Sequence, residues 1–258
     1  MKHLKYLIIL AFSFCLVSCF DTVEEVEIKQ NGTGTYKLNM DMSKAFEMMK
    51  GFMNDSDLQK EGMNKAMDTT INFDTILDSA QDLDAHKKAL LKGGVMHVNM
   101  DMQKSVMKLD MKYPFTSLGN LNELYSMIQK GNGGLNEAFK SMQAQEGGMG
   151  MDNASDTSGL NQINSIFDVN FKDGSYSKTV NKDRYEAFIH DEKVEQIKGM
   201  MSMMGDMNYT LILKLPKPAK TVSNKLATLS ADKKTITLKS DLFSAFDNPQ
   251  LMELKATY

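Results

Sequence analysis

Residues 96–113 read MHVNMDMQKSVMKLDMKY, and this stretch decides the fold class because an apolar residue occupies every second position of two successive runs. The apolar positions are Met96, Val98, Met100 and Met102 in the first run, and Met107, Leu109, Met111 and Tyr113 in the second. A period of two is typical of a β-strand with one buried face. The short polar link between the runs suits a hairpin turn. The stretch therefore predicts an antiparallel hairpin.

The same alternation recurs on both sides of this hairpin. A first hairpin is predicted around the turn Asn31-Gly32, and a third around Asp173-Gly174. The C-terminal third predicts further strands: Tyr209–Leu215, a strand near Val222 to Leu229, Ile236 with Leu238, and a last strand over Met252–Tyr258 in which Leu254 points inward. Polar residues on the opposite face of each run favour antiparallel pairing with one face buried.

Helical spacing of apolar residues lies between these strands. The predicted helices begin at Ser43, cover Phe73 to Leu91, follow Leu118 to Ile128, include Leu135 to Met142, and run from Asp183 to Met204. Strands and helices in mixed order indicate an α+β class. We expect one mainly antiparallel sheet, beginning near Val23 and ending near Tyr258, with helices packed on one face.

Residues 1–18 have the composition of an export signal, and residues 19–258 are expected to form a single domain. Lys2 and Lys5 precede an apolar run that is shorter than the ~20 residues a membrane-spanning helix needs. The glycine-rich and polar residues 143–161 predict a flexible loop, although a boundary between two domains is also compatible with them. Asn39–Met42 recurs 60 residues later as Asn99–Met102, which fits either a duplicated strand unit or chance.

The residues Leu16-Val17-Ser18-Cys19 resemble the lipobox of bacterial lipoproteins. This resemblance implies cleavage before Cys19 and attachment of acyl chains to its thiol, with the lipid bilayer as partner. Phe20 rather than aspartate follows the cysteine, so we expect the protein on the outer membrane, facing the periplasm or the cell surface. The mature chain would then have no thiol left for a disulfide or a nucleophile, because Cys15 is removed with the signal.

The net charge and the spacing of the histidines argue against further classes of function. After residue 18 there are 28 basic and 33 acidic residues, a net charge of −5, and Arg184 is the only arginine, which argues against nucleic acid as a partner. His86, His97 and His190 are isolated from one another in sequence, so we expect them at or near the surface. No catalytic residue and no cofactor is predicted.

Methionine is unusually frequent, with 23 residues. Met200, Met203, Met204 and Met207 share one face of a helical spacing, and thioethers suit Cu(I). The preferred interpretation is that methionine replaces Leu or Ile as a flexible core residue. Copper handling therefore stays the alternative to a binding or structural role, together with an enzyme of unrecognised type.

Four short motifs resemble the Asp-Ser/Thr-apolar sequon for O-glycans of exported Bacteroidetes proteins; their acceptors would be Thr22, Thr69, Thr75 and Ser79. The run Asn31 to Tyr36 followed by Asp41 to Lys44 resembles an uncharacterised envelope lipoprotein family of that phylum. The tail around Leu213–Pro216 and Asp232–Leu238 resembles LppM-type lipoprotein domains more faintly. These resemblances imply a membrane-anchored envelope lipoprotein, and they supply no catalytic residue.

Overall fold

The computed structural model describes residues 20–52, 66–77, 83–129, 163–192, 194–195, 198–199 and 206–258. Several sequence predictions concern residues outside these ranges. They are the signal and lipobox with Cys19, the helix Leu135–Met142, the loop 143–161, Ser79, and Met200, Met203 and Met204. The α+β class and the mainly antiparallel pairing are confirmed by the described residues.

Twelve strands are present in the described part of the chain. They are β1 Phe20–Ile28, β2 Gly34–Asp41, β3 Met67–Asn72, β4 Val95–Asp101, β5 Val106–Phe115, β6 Phe167–Lys172, β7 Ser175–Val180, β8 Met207–Lys214, β9 Thr221–Val222, β10 Thr228–Leu229, β11 Thr235–Asp241 and β12 Leu254–Thr257. Eight of them form a large sheet in the order β10-β11-β8-β1-β2-β5-β4-β3, and four form a small sheet in the order β6-β7-β12-β9.

The predicted hairpins are confirmed. In β4 and β5, Val98 lies opposite Leu109 and Met96 opposite Met111, so the alternating apolar residues share the buried face. The pairs β1–β2 and β6–β7 are antiparallel as well. The exception is β1 with β8, which run parallel because β8 arrives after a long excursion of the chain rather than after a turn.

The expectation of one sheet is wrong, since the strands divide between two. The last strand, β12, pairs with β7 and β9 in the small sheet and not with the large one.

The prediction of one strand near Val222 to Leu229 is also wrong. This segment consists of two short strands, one in each sheet, because Asn224 binds the backbone carbonyls of Leu251 and Glu253 and turns the chain between them. Leu254 is fully buried, as predicted.

The helices whose bounds are defined are α1 Ser43–Phe52, α2 Phe73–Leu77, α3 Ala85–Leu91, α4 Leu118–Gln129, α5 Lys182–Ile189 and α6 Leu242–Asp247, with a 3₁₀ turn at Pro249–Met252. Further helical residues are 163–165, 192, 194–195 and 198–199. The predicted helix Phe73–Leu91 is instead two helices, and Asp84 caps the second by accepting from the Lys87 N–H. The helix expected from Asp183 to Met204 begins at Lys182, after the Asn181 cap, and is interrupted after Ile189. Helical residues resume at 192, 194–195 and 198–199, and residues 200–204 lie outside the described ranges. None of the described helices has the length and apolarity needed to cross a membrane.

Both copies of the repeated Asn-Met-Asp-Met motif are strands on the two sides of β5. β2 and β4 each pair with β5 in the antiparallel sense, so they run in the same direction. Gly34 and Gly94 begin the two segments, and both have crowded surroundings. A Cβ at Gly34 would lie 1.8 Å from the Glu27 carbonyl oxygen, and one at Gly94 would lie 2.6 Å from the Phe73 ring.

Candidate functional site

A glutamate lies on the buried face of β1. Thr22, Glu24 and Val26 alternate inward along this strand, and Glu24 is only 2% exposed. Its neighbours across the large sheet are Leu38 of β2 and Leu211 of β8, so the carboxylate occupies a position that would ordinarily be apolar. Such a group requires compensating hydrogen bonds or charge.

A lysine on the small sheet supplies that charge. Lys178 of β7 is fully buried, and its Nζ donates a hydrogen bond to the Tyr209 hydroxyl at 3.1 Å. The same ammonium lies 4.8 Å from the centre of the Phe167 ring and 4.6 Å from that of Tyr209. Contacts of this kind stabilise a cation electrostatically through the ring face.

Tyr209 connects the two charges. Its hydroxyl accepts from Lys178 Nζ and donates to Glu24 Oε2. Because Glu24 and Tyr209 belong to the large sheet and Lys178 to the small one, the Glu24–Tyr209–Lys178 group joins the two sheets at their buried faces. Its hydrogen bonds are therefore charge-assisted and shielded from water.

Burial controls the titration of this group. Desolvation lowers the pKa of Lys178 to about 8, and the Glu24 carboxylate opposes part of that shift. Desolvation also raises the pKa of Tyr209, with the Glu24 charge adding to it. The pKa values of Tyr36, Tyr125 and Tyr176 are raised well above the ordinary value for the same two reasons, desolvation being the larger.

Three buried polar atoms have no hydrogen-bond partner among the residues that the structure describes: Glu24 Oε1, Thr22 Oγ1 and the Tyr176 hydroxyl. Buried polar atoms are almost always paired, and a carboxylate oxygen accepts readily from a small donor such as water. The Glu24–Tyr209–Lys178 group can therefore hold one negative and one positive charge in fixed positions, and it can accept a hydrogen bond from a molecule of the size of water. It contains no nucleophile exposed to solvent.

The histidines lie apart from this group and from one another. His86 is exposed beside Glu123, with 2.7 Å between Nε2 and Oε2, and His190 is exposed with Glu186 at 3.9 Å. His97 is half-buried on the opposite face of the large sheet, where its Nε2 lies 2.6 Å from Asp68 Oδ1. This hydrogen bond is the main reason that the pKa of His97 is raised. The expected surface position of the three rings is confirmed.

The predicted glycan acceptors differ in accessibility. Thr22 is 7% exposed, and its side chain points into the core of the large sheet. Thr69 is half-buried, whereas Thr75 is exposed and donates a hydrogen bond to the Asn72 carbonyl at 2.7 Å. Modification at Thr22, Thr69, Thr75 and Ser79 stays a prediction.

Several methionines of the described strands occupy core positions. Met207, from the proposed Cu(I) set, begins β8 and is buried, as are Met96, Met100 and Met111 at alternate strand positions. The burial of these side chains agrees with the interpretation that methionine fills irregular apolar space in the core.

Sequence reasoning missed both Glu24 and Lys178, although a usable signal was present. Glu24 shares the parity of Val26 and Ile28, and Lys178 shares that of Tyr176 and Val180. A charged residue on the apolar parity of a strand indicates a buried charge that needs a partner. Comparison with protein-family models, with curated proteins and with solved structures found no match to this chain.

Proposed function

We propose that this chain is a lipid-anchored protein of the bacterial cell envelope that works by binding or as a structural component, without catalysing a reaction. The observation that carries the proposal is the position of the first strand. β1 begins at Phe20, immediately after Cys19, and Phe20 is already buried. An acylated Cys19 would thus be joined to an interior strand of the large sheet with no flexible linker.

The acyl chains supply the attachment in this proposal. Each buried CH₂ contributes about 0.8 kcal/mol, so several chains on one residue hold a protein on a bilayer for long times. The outer membrane is the proposed location because Phe20 follows the cysteine. The first residue of β1 would then lie at the surface of the bilayer.

The chemistry of the described residues supports a non-catalytic role. Glu24, Lys178 and Tyr209 are at most 2% exposed, so a substrate in solution has no direct access to them. The three histidines are paired with separate carboxylates at distant places in the fold. A buried charge pair between two sheets is typical of a framework that fixes packing.

The decisive experiment compares the two cysteines of the full chain. We expect Cys19→Ala to abolish incorporation of an alkyne-tagged fatty acid and to leave the protein unprocessed or soluble. Cys15→Ala is the matched control, since it changes a cysteine four residues away and should retain both labelling and membrane fractionation. Normal labelling and processing of Cys19→Ala would refute lipid anchoring through this residue.

A further inference from the structure

Residues 216–234, which we name the tip, form a basic surface on an otherwise acidic chain. The tip connects β8 to β11 and contains five lysines and one aspartate, a net charge of +4. Residues 19–215 and 235–258 together carry −9, since the whole mature chain carries −5. A local excess of this size attracts anionic partners.

Two exposed leucines lie on the same tip. Leu226 is 52% and Leu229 is 43% exposed, and they are the only large apolar side chains that are exposed in the described part of the chain. The turn that presents Leu226 is fixed by Asn224, whose amide donates to the carbonyls of Leu251 and Glu253 and accepts from the Leu226 N–H at 2.9 Å. The exposure is therefore imposed by an ordered turn.

A backbone hydrogen bond joins the two arms of the tip, because the Ala219 N–H donates to the Lys233 carbonyl at 2.8 Å. Five lysines are exposed on this segment. Within the described residues, Lys217, Lys225 and Lys233 form no ion pair with an acidic side chain. Their charges are available to an external anion.

We propose that the tip is a second membrane contact, in which Leu226 and Leu229 enter the interface of an anionic bilayer while the lysines contact its headgroups. The proposal rests on the lipid anchor at Cys19. Exposed leucines bordered by lysines are the side chains that interfacial binding uses, since apolar burial and headgroup attraction add. Two leucines are too small a patch for a stable protein interface, which buries about 800 Å² on each partner.

The geometry allows both contacts on one bilayer. β8 starts beside Phe20 and ends at Lys214, just before the tip, so the two attachment points are separated by roughly 25 Å along the strands. The anchor holds the tip at high local concentration near the membrane, so that a weak contact is sufficient. The domain would then lie along the bilayer rather than stand on one end.

The test uses the unlipidated chain from Phe20 to Tyr258, which contains every described strand and helix. Removal of Cys19 leaves this chain without thiols, so Leu226→Cys provides a unique site for an environment-sensitive fluorophore. With vesicles of phosphatidylglycerol and phosphatidylcholine we expect a blue shift and quenching by a lipid-borne quencher. The same label at Lys112→Cys, on an exposed position of β5, should show neither effect.

Charge variants measure the headgroup contribution. We expect each of Lys217→Gln, Lys225→Gln and Lys233→Gln to weaken binding about fivefold, and salt to weaken it further. Lys112→Gln and Lys172→Gln, exposed lysines outside the tip, are the controls and should leave affinity unchanged. Absence of binding beyond that to pure phosphatidylcholine, or equal losses in the controls, would overturn the proposal.

An acidic protein partner is the competing outcome. Binding of poly-glutamate to the tip without binding to anionic vesicles would assign the tip to such a partner and would also overturn the proposal. Failure here leaves the Cys19 anchor intact, because no step of the assay uses lipidation. Conversely, failure of the Cys19 experiment refutes the proposed function without changing the vesicle result.

Discussion

Replacement of Lys178 by methionine is expected to destabilise the fold strongly although it deletes only one charge. Methionine has a similar length and fits the aromatic surroundings of Phe167 and Tyr209. The loss comes from Glu24, which is 2% exposed and would have only the Tyr209 hydroxyl as hydrogen-bond partner. Breaking a buried pair by removing one member costs about 3–5 kcal/mol.

Removal of both charges should restore most of that loss. The neighbours of Glu24 across the sheet are Leu38 and Leu211, so Glu24→Leu continues an apolar row. Replacement of a complete buried pair by apolar residues is often neutral or stabilising by about 1–4 kcal/mol. We therefore expect the double variant Glu24→Leu with Lys178→Met to unfold at or above the wild-type free energy, with a large coupling in the mutant cycle.

Urea unfolding of the four proteins measures this coupling, provided that the dependence of the free energy on urea is unchanged among them. Lys112→Met is the matched control, since it removes an exposed ammonium and should alter stability by less than about 0.5 kcal/mol. A cost below about 1 kcal/mol for Lys178→Met, together with additive effects of the two substitutions, would refute the assigned role of the Glu24–Tyr209–Lys178 group.

The space around two glycines predicts a further pair of outcomes. Gly34→Ala should cost about 1–3 kcal/mol or more, since its Cβ would lie 2.4 Å from Phe115 Cζ, whereas Gly51→Ala in α1 has open space and should stabilise by about 0.5–1 kcal/mol. Equal melting temperatures for the two glycine variants would exclude the steric explanation.

Local pattern was sufficient for the hairpins, and the reason is visible in β4 and β5. Their apolar residues alternate without interruption, and the turn that joins them is short, so both pairing and register are specified within twenty residues. The helices at Ser43 and Leu118 follow equally local spacing.

The division into two sheets required information that periodicity does not contain. β12 has the same alternation as β8, and nothing in its four residues distinguishes β7 from β11 as a neighbour. The inter-sheet group was missed for a related reason. Glu24 and Lys178 are separated by 154 positions, and each alone looks like a surface charge until the parity of its strand is considered.

The Glu24–Tyr209–Lys178 group also supplies register information that apolar alternation lacks. A slip of β1 by one residue against β8 would turn Glu24 outward and bury Glu25, so alternation already opposes it. A slip by two residues keeps every apolar side chain inward and meets no such penalty. A slip that moves Glu24 from Leu211 to Leu213 would, however, take it away from the Tyr209 hydroxyl and leave both the carboxylate and Lys178 buried without their bridge. The charge pair therefore opposes a misalignment that the apolar pattern permits. It does so on the strand whose first residue follows Cys19, where a shifted register would displace the proposed anchor relative to the whole domain.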